Sequence, residues 1–192
     1  MPDIVLASSS PYRQELLSRL KIPFTSYSPE IDETALPNEN FEAHVKRLSI
    51  AKALAASLQF PDALCIGSDE IAGLNSEILG KPLTHENAVL QLRKMSGQTV
   101  TFYTGVCITI KRSNYQDYRL ALTKIHFRDL TDEMIETYLQ KEQPYFSAGS
   151  FKSETLGTAL IKRFEGHDPT ALIGLPLIDL TEMLEKAGGK VL

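Results

Sequence analysis

Apolar and polar positions along this chain follow two rhythms, one of period two and one near 3.6 residues. The run "DIVLA" at residues 3–7 is apolar almost throughout and predicts a buried strand. It breaks into three serines, after which Leu16, Leu17 and Leu20 recur as on the inner side of a helix from Pro11 to about Lys21. Ser10 suits the N-cap and Pro11 the first helical position. "PFTSYSPEIDETALPNEN" begins with strand formers and fills with prolines and turn residues, so a strand should run into a long loop. A helix is expected over about Phe41–Leu58. "ALCIGSDEIAGL" reads as a second apolar strand, and "LNSEI" as a hairpin turn leading into "LGKPL".

In the second half, Thr84 should cap a helix that stops at Ser96-Gly97, with Gly97 just past its end. Val100, Phe102, Thr104, Val106, Ile108 and Ile110 alternate strictly, which predicts a long half-buried strand. After the turn "KRSNYQD", a partner strand is expected over Tyr118–Phe127. Its phase shifts near Thr123, the mark of a bulge. Thr131 should cap the next helix, with Leu130 and Ile135 as a hydrophobic staple. "YFSAGSFKSE" reads as a loop, "TALIKRF" as a strand, and "LPLIDLTEMLEKAGG" as a final helix stopped by two glycines. Helices alternate with strands, yet one hairpin is antiparallel. The expected class is therefore α/β, or α+β in mixed form, with a mixed sheet flanked by helices.

Composition narrows the picture. The 192 residues are 43% hydrophobic and 23% charged, enough for a normal core in a single domain spanning residues 1–192 with two lobes around a cleft. The formal net charge of -4 offers no basic excess for nucleic acid. Apolar runs are too short to span a membrane, and no basic n-region marks a secretory signal. Cys65 and Cys107 sit inside apolar runs and read as small core hydrophobes of a reducing compartment, with the cytoplasm as default. His44, His85, His126 and His167 show no ligand spacing, which argues against zinc.

Several residues break their local rule. Arg13 lies in a first helical turn, where the dipole disfavours a cation by ~0.3–1 kcal/mol unless an anion intervenes. Lys52 falls on an apolar stripe with Val45 and Leu48, flanked by Phe41 and Ala55. Its ammonium either snorkels past the core edge or points into a cleft. Asp69 ends an apolar strand, where α/β sheets bind ligands, although an Asp is also a common loop starter. Glu70 follows it, and Asp32 and Glu33 form a second acidic pair that suits a divalent cation or merely solvates a loop. Lys81 sits in "GKP", by itself an ordinary turn lysine. Together, two lysines, an arginine and a helix N-terminus suit a phosphate chain, and the acids suit a metal and an activated water. The residues thus describe a metal-dependent enzyme acting on a phosphorylated small molecule.

The same residues resemble a known family. "LASSSPYRQELL", "IDE", "LSIAKA", "IGSDEI", "LGKPLT", "SGQTVTFYTGV", "AGSFKSE" and "GLPL" are similar, in order and over nearly the whole chain, to the Maf nucleoside triphosphate pyrophosphatases. The branch most resembled, with Gly67-Ser68-Asp69 and Phe151–Glu154, acts on 7-methyl-GTP. The resemblance implies an elongated mixed sheet with two lobes around a deep cleft, as in Ham1-type inosine triphosphatases. It implies hydrolysis between the α- and β-phosphates with a divalent cation, Mg2+ or Mn2+. By that resemblance Asp69 activates water, and Glu33 and Asp69 hold the metal. Ser8, Arg13, Lys52 and Lys81 bind the triphosphate, while Tyr12, Glu70 and Glu154 tune base choice. In the branch an amide often follows the catalytic Asp, whereas this chain has Glu70. A 7-methylated guanine is cationic, so an acid nearby is chemically sensible, and Tyr12 can stack on it for ~0.5–2 kcal/mol. Glu70 equally suits the metal shell. Rival readings keep the chemistry on dTTP, UTP or another nucleotide, or make the chain a non-catalytic nucleotide-binding regulator of septation. The long alternating strand leaves room for a homodimer contact.

Overall fold

The structure, a computed structural model, describes residues 2–192. Strand β1 (Ile4–Ala7) leads into helix α1 (Pro11–Ser18), strand β2 (Thr25–Tyr27) and, after a long loop, helix α2 (Phe41–Gln59). Strands β3 (Leu64–Leu74) and β4 (Glu77–Leu79) form the expected hairpin, followed by α3 (His85–Met95), β5 (Thr99–Ile110), β6 (Tyr115–Phe127) and α4 (Asp132–Glu142). Short 3-10 turns precede β7 (Ile161–Glu165) and the last helix, α5 (Leu177–Lys186). The sheet is mixed, in the order β2-β1-β3-β5-β6-β7, with β4 beside β3. β1 runs parallel to β2 and β3, whereas β3 with β4 and β6 with β7 are antiparallel.

Residue contacts gather into two compact units. The first holds the chain up to Glu70, then Thr104–Ala121 and Asp168–Leu192. Every residue of β1 is buried, because alternate side chains are covered on opposite faces. Ile4 and Leu6 join Leu16, Leu17, Leu180 and Leu184 from α1 and α5. Val5 and Ala7 instead meet Ala56 of α2. The second unit comprises Ile71–Tyr103 and Leu122–His167. There α3 packs on α4. The Phe151 ring lies 5.9 Å from Phe102 and 5.1 Å from Phe127, centroid to centroid.

The caps follow the sequence: Ser10, Asn40, Thr84 and Thr131 each accept a backbone amide, and Gly97 takes a left-handed φ of 67° after α3. Asp69 does not end its strand, because β3 continues to Leu74 to pair with β4. Four further expectations need correction. Helix α1 ends at Ser18 rather than near Lys21, because Arg19, Leu20 and Lys21 donate to carbonyls three residues back and Lys21 turns to φ 57°. β6 begins at Tyr115, since Asn114 at φ 52° already completes the turn. β5 is half-buried only at its start, and from Thr104 to Thr109 both faces are covered. Finally, Ala121, Thr123, Ile125 and Phe127 alternate inward without a phase change, and the register shift lies at His126/Phe127 against β7. Leu122 faces outward, 40% exposed, and that outward apolar residue imitates a phase change. Among the described residues no helix is long and apolar enough to cross a membrane.

Candidate functional site

Helix α2 sits directly on the sheet at Gly67. A Cβ placed there would lie 2.2 Å from the Ser49 carbonyl oxygen and 2.5 Å from the Ala53 amide nitrogen, so only glycine allows this approach. Gly105 on the neighbouring strand leaves room for Ser49 Oγ and Val45 in the same way. The seat fixes where Lys52 goes. Its stripe is centred on Val45, Leu48, Ser49, Ala53 and Ala56, which are all buried.

Lys52 does not snorkel outward. It is 8% exposed, and its Nζ donates to Asp69 Oδ1 at 2.6 Å and meets Glu33 Oε1 at 2.8 Å. A charged side chain so buried requires a charged partner, and here it has two. Asp69 is 7% exposed and Glu33 is mostly in solvent, its side chain 60% exposed. One ammonium therefore gathers a buried acid from β3 and an acid from the loop before α2. Asp69 Oδ2 takes no protein donor among the described residues.

The start of α1 builds the next part. Ser8 is buried, and its Oγ accepts from the Ser10 amide at 3.1 Å, while Ser10 caps the helix at Arg13 N. Tyr12 is 36% exposed. Arg13 Nε donates to the Gly174 carbonyl at 2.8 Å, so one prong of its fork is spent on the protein. The Nη groups make no hydrogen bond to a described residue. Gly174 O also accepts from Ser68 Oγ at 2.9 Å, and Ala171 O from Thr104 Oγ1 at 2.9 Å. Thr104 Oγ1 lies 3.3 Å from Glu70 Oε2.

Residues 168–176 thus orient Arg13, Ser68 and Thr104, and Asp168 organises that loop. It is 1% exposed and accepts from Thr170 N, Thr170 Oγ1 and Ile178 N at 2.6–2.8 Å. The last of these bonds satisfies a free amide at the start of α5, which has no side-chain cap of its own. The sequence reading missed Asp168, although "DPT" carries the signal of an Asp that bonds the backbone two residues on. It also missed the strict need for Gly67, which a glycine inside an apolar strand announces.

Lys81 and Glu154 lie in the second unit. Both are exposed. Lys81 borders a cavity of about 240 Å³ together with Glu77, Pro82, Asn87, Gln91 and Lys94. The neighbouring Gly80 carbonyl accepts from Gln91 Nε2 at 2.9 Å, which fixes the turn.

Among the described residues no three His, Cys, Asp or Glu side chains form a ready cage for a metal. The donors that converge on Lys52 are nonetheless of the right kind. They are hard carboxylate oxygens, and magnesium commonly takes one or two of these and keeps its waters. Glu33 and Asp69 fit such an ion through chemistry that needs no further ligand from the chain. Nearby, hydrogen bonds from Thr34 hold the Asp32 carboxyl below its usual range, and Arg47 beside Glu39 brings that carboxyl down to about 2. Both stay ionised at neutral pH. Cys65 and Cys107 are buried and unpaired, and burial pushes their thiols up to about 11 and about 12.

Comparison with known proteins is consistent along the whole chain. A protein of Nitrosococcus oceani named 7-methyl-GTP pyrophosphatase is 54% identical over 191 residues, covering 100% of this chain and 96% of that one. Proteins of the same name from Thiobacillus denitrificans and Pseudomonas aeruginosa are 52% and 48% identical, with 100% of this chain covered and 95% and 100% of theirs. A solved HAM1 protein of Coxiella burnetii overlaps at a TM-score of 0.47 and 18% identity, covering 66% of this chain and 73% of that one. The sequence pattern of Maf-like proteins matches residues 3–187, and on that match and those identities the chain belongs to the Maf family.

Proposed function

We propose that this chain is a nucleoside triphosphate pyrophosphatase that splits 7-methyl-GTP into 7-methyl-GMP and pyrophosphate. The observation that carries the reading is the buried Lys52 ammonium joining Asp69 and Glu33. Hydrolysis needs a base for water and positive charge for the phosphates, and this cluster offers both. Asp69 Oδ2 accepts a proton from water, the water oxygen bonds to the α-phosphorus, and the bond to the bridging oxygen breaks, releasing pyrophosphate. Lys52 and Arg13, through its Nη groups, neutralise the phosphate oxygens, and Ser8 takes a hydrogen-bonding role toward them by family resemblance. Glu33 and Asp69 would hold a divalent cation, Mg2+ or Mn2+, which supplies charge neutralisation of the polyphosphate.

Lys81 takes a phosphate role and Glu154 a role in base choice by family resemblance. Tyr12 has the exposure to stack on a cationic base, and Glu70, near Thr104, supplies a negative charge for it. Full-length relatives that carry the name 7-methyl-GTP pyrophosphatase support the substrate. The testing experiment measures pyrophosphate release over canonical and methylated nucleoside triphosphates, with and without magnesium. Fastest turnover is expected on 7-methyl-GTP, with a fall of about 100-fold or more in D69N. Equal rates for wild type and D69N at saturating magnesium would overturn the assignment.

A further inference from the structure

Glu33 stands in a loop, 28–40, that has no regular structure and is exposed at most positions from Asp32 to Asn38. Ordering a loop of this kind costs backbone entropy at every residue, so something must hold an acid that acts from it. Lys52 alone does not, because it grips only the tip of the Glu33 side chain. The backbone on either side is held by another residue of α2, Arg47.

Arg47 Nε donates to Glu39 Oε1 at 2.6 Å, and Nη2 donates to Glu39 Oε2 at 2.8 Å. The same Nη2 donates to the carbonyl of Thr34, the residue after Glu33, at 3.0 Å. Glu39 Oε2 also meets His44 Nδ1 at 2.9 Å and accepts from Leu36 N at 3.2 Å. Arg47 Nη2 is 3.4 Å from His44 Nδ1. Asp32 Oδ1 accepts from Thr34 N at 2.9 Å, which closes the turn across Glu33 itself. The Glu39 side chain is only 7% exposed, so this is a shielded two-pronged pair rather than a surface contact.

We propose that Arg47 is the positioning residue that holds the 32–39 loop so that Glu33 reaches the Lys52–Asp69 pair. The proposal rests on the role given to Glu33 above. Arg47 touches neither carboxylate and acts through the backbone at Thr34 and the carboxylate of Glu39. A planar fork suits two acceptors in fixed directions, which a lysine ammonium does not reproduce.

The test compares wild type, E33Q, R47A, R47K and the E33Q/R47A double variant. For each, kcat, KM and the magnesium concentration at half-maximal rate are measured, with amide hydrogen exchange over residues 28–40 as a readout independent of turnover. R47A is expected to lower kcat about 10–100-fold, to raise the magnesium requirement and to speed exchange in the loop. R47K should restore little. The double variant should be no slower than E33Q, because a misplaced acid and a missing acid have the same effect. Additive losses in the double variant, or unchanged exchange in R47A, would overturn the proposal. If E33Q keeps wild-type turnover, the role of Glu33 itself falls, and the proposal with it. E39Q provides a second variant should R47A fail to fold, with the same pattern expected at smaller size.

Discussion

Lys52 Nζ and Asp69 Oδ1 are 2.6 Å apart, and both side chains are only 10% exposed. One comes from a helix and the other from a strand, seventeen residues later in the chain. Their meeting is what turns a lysine on an apolar stripe and an acid in the middle of β3 into one chemical unit. Removing one member of such a pair leaves the other without a partner in a poorly solvated place.

Lys52→Met should therefore destabilise the fold at pH 7 by about 1–3 kcal/mol, besides abolishing turnover. Adding D69N to that variant should recover part of the loss, because a neutral amide is cheaper to bury. Urea midpoints of the two single variants and the double variant check this. A simple sum of the single losses would show that the two side chains do not interact.

Gly67→Ala should act on the same pair from behind. Its Cβ would press on backbone atoms of α2 at 2.2 and 2.5 Å, and neither can move without the helix. Overpacking of this kind costs about 1–3 kcal/mol. The shift also carries Lys52 away from Asp69, so kcat should fall more than stability alone explains. Thermal melting and turnover measured on the same preparation separate the two effects.

Arg13→Ala should lose little of the fold and much of the activity. The hydrogen bond from Nε to Gly174 O is worth about 0.5–1.5 kcal/mol, which sets the stability cost. The Nη groups are assigned to phosphate, so KM for the nucleotide should rise by a larger factor. An unchanged KM would reduce Arg13 to a brace for the 168–176 loop.

Glu39 gives acid dependence a direction. Arg47 lowers its carboxyl from 4.5 to about 2 in the folded protein. A depressed pKa means that the stabilisation is fully present above pH 4.5 and is lost as pH falls through about 2. Wild type should lose stability over that window by a component that E39Q lacks. Denaturant titrations of both proteins at stepped pH measure the difference, and parallel curves would contradict it.

The two thiols should stay silent in the native state. Burial raises Cys65 to about 11 and Cys107 to about 12, so almost no thiolate exists at pH 8. A colourimetric disulfide reagent should label neither until denaturant is added. Rapid native labelling would mean that the strands around them open locally.

Local chemistry written in consecutive residues was legible without any coordinates. The caps at Ser10, Thr84 and Thr131 and the stop at Gly97 depend on a few adjacent amides and hydroxyls, and all four stand as read. The β3–β4 hairpin and the mixed sheet follow equally from short-range turns and strand periods. The oddity of Lys52 on an apolar stripe was also visible, because a helix presents its face at a fixed spacing. What that lysine does was not visible. Its choice between solvent and a buried acid depends on how closely α2 lies on β3, which Gly67 decides through contacts across the fold.

The covered second face of β5 and the false phase shift at Thr123 have the same origin, since burial depends on what lands on a strand from elsewhere. The turn at Asp168 was signalled by "DPT", but its burial and its bond to the start of α5, like the tie of Arg47 to Thr34 and Glu39, needed tertiary structure to be seen. The sequence by itself determined the elements, their caps and the set of charged residues in need of explanation, because those are properties of neighbours along the chain. Only the tertiary structure decided which of those charges meet, because pairing a buried charge depends on separations of a few tenths of an ångström between segments far apart in sequence.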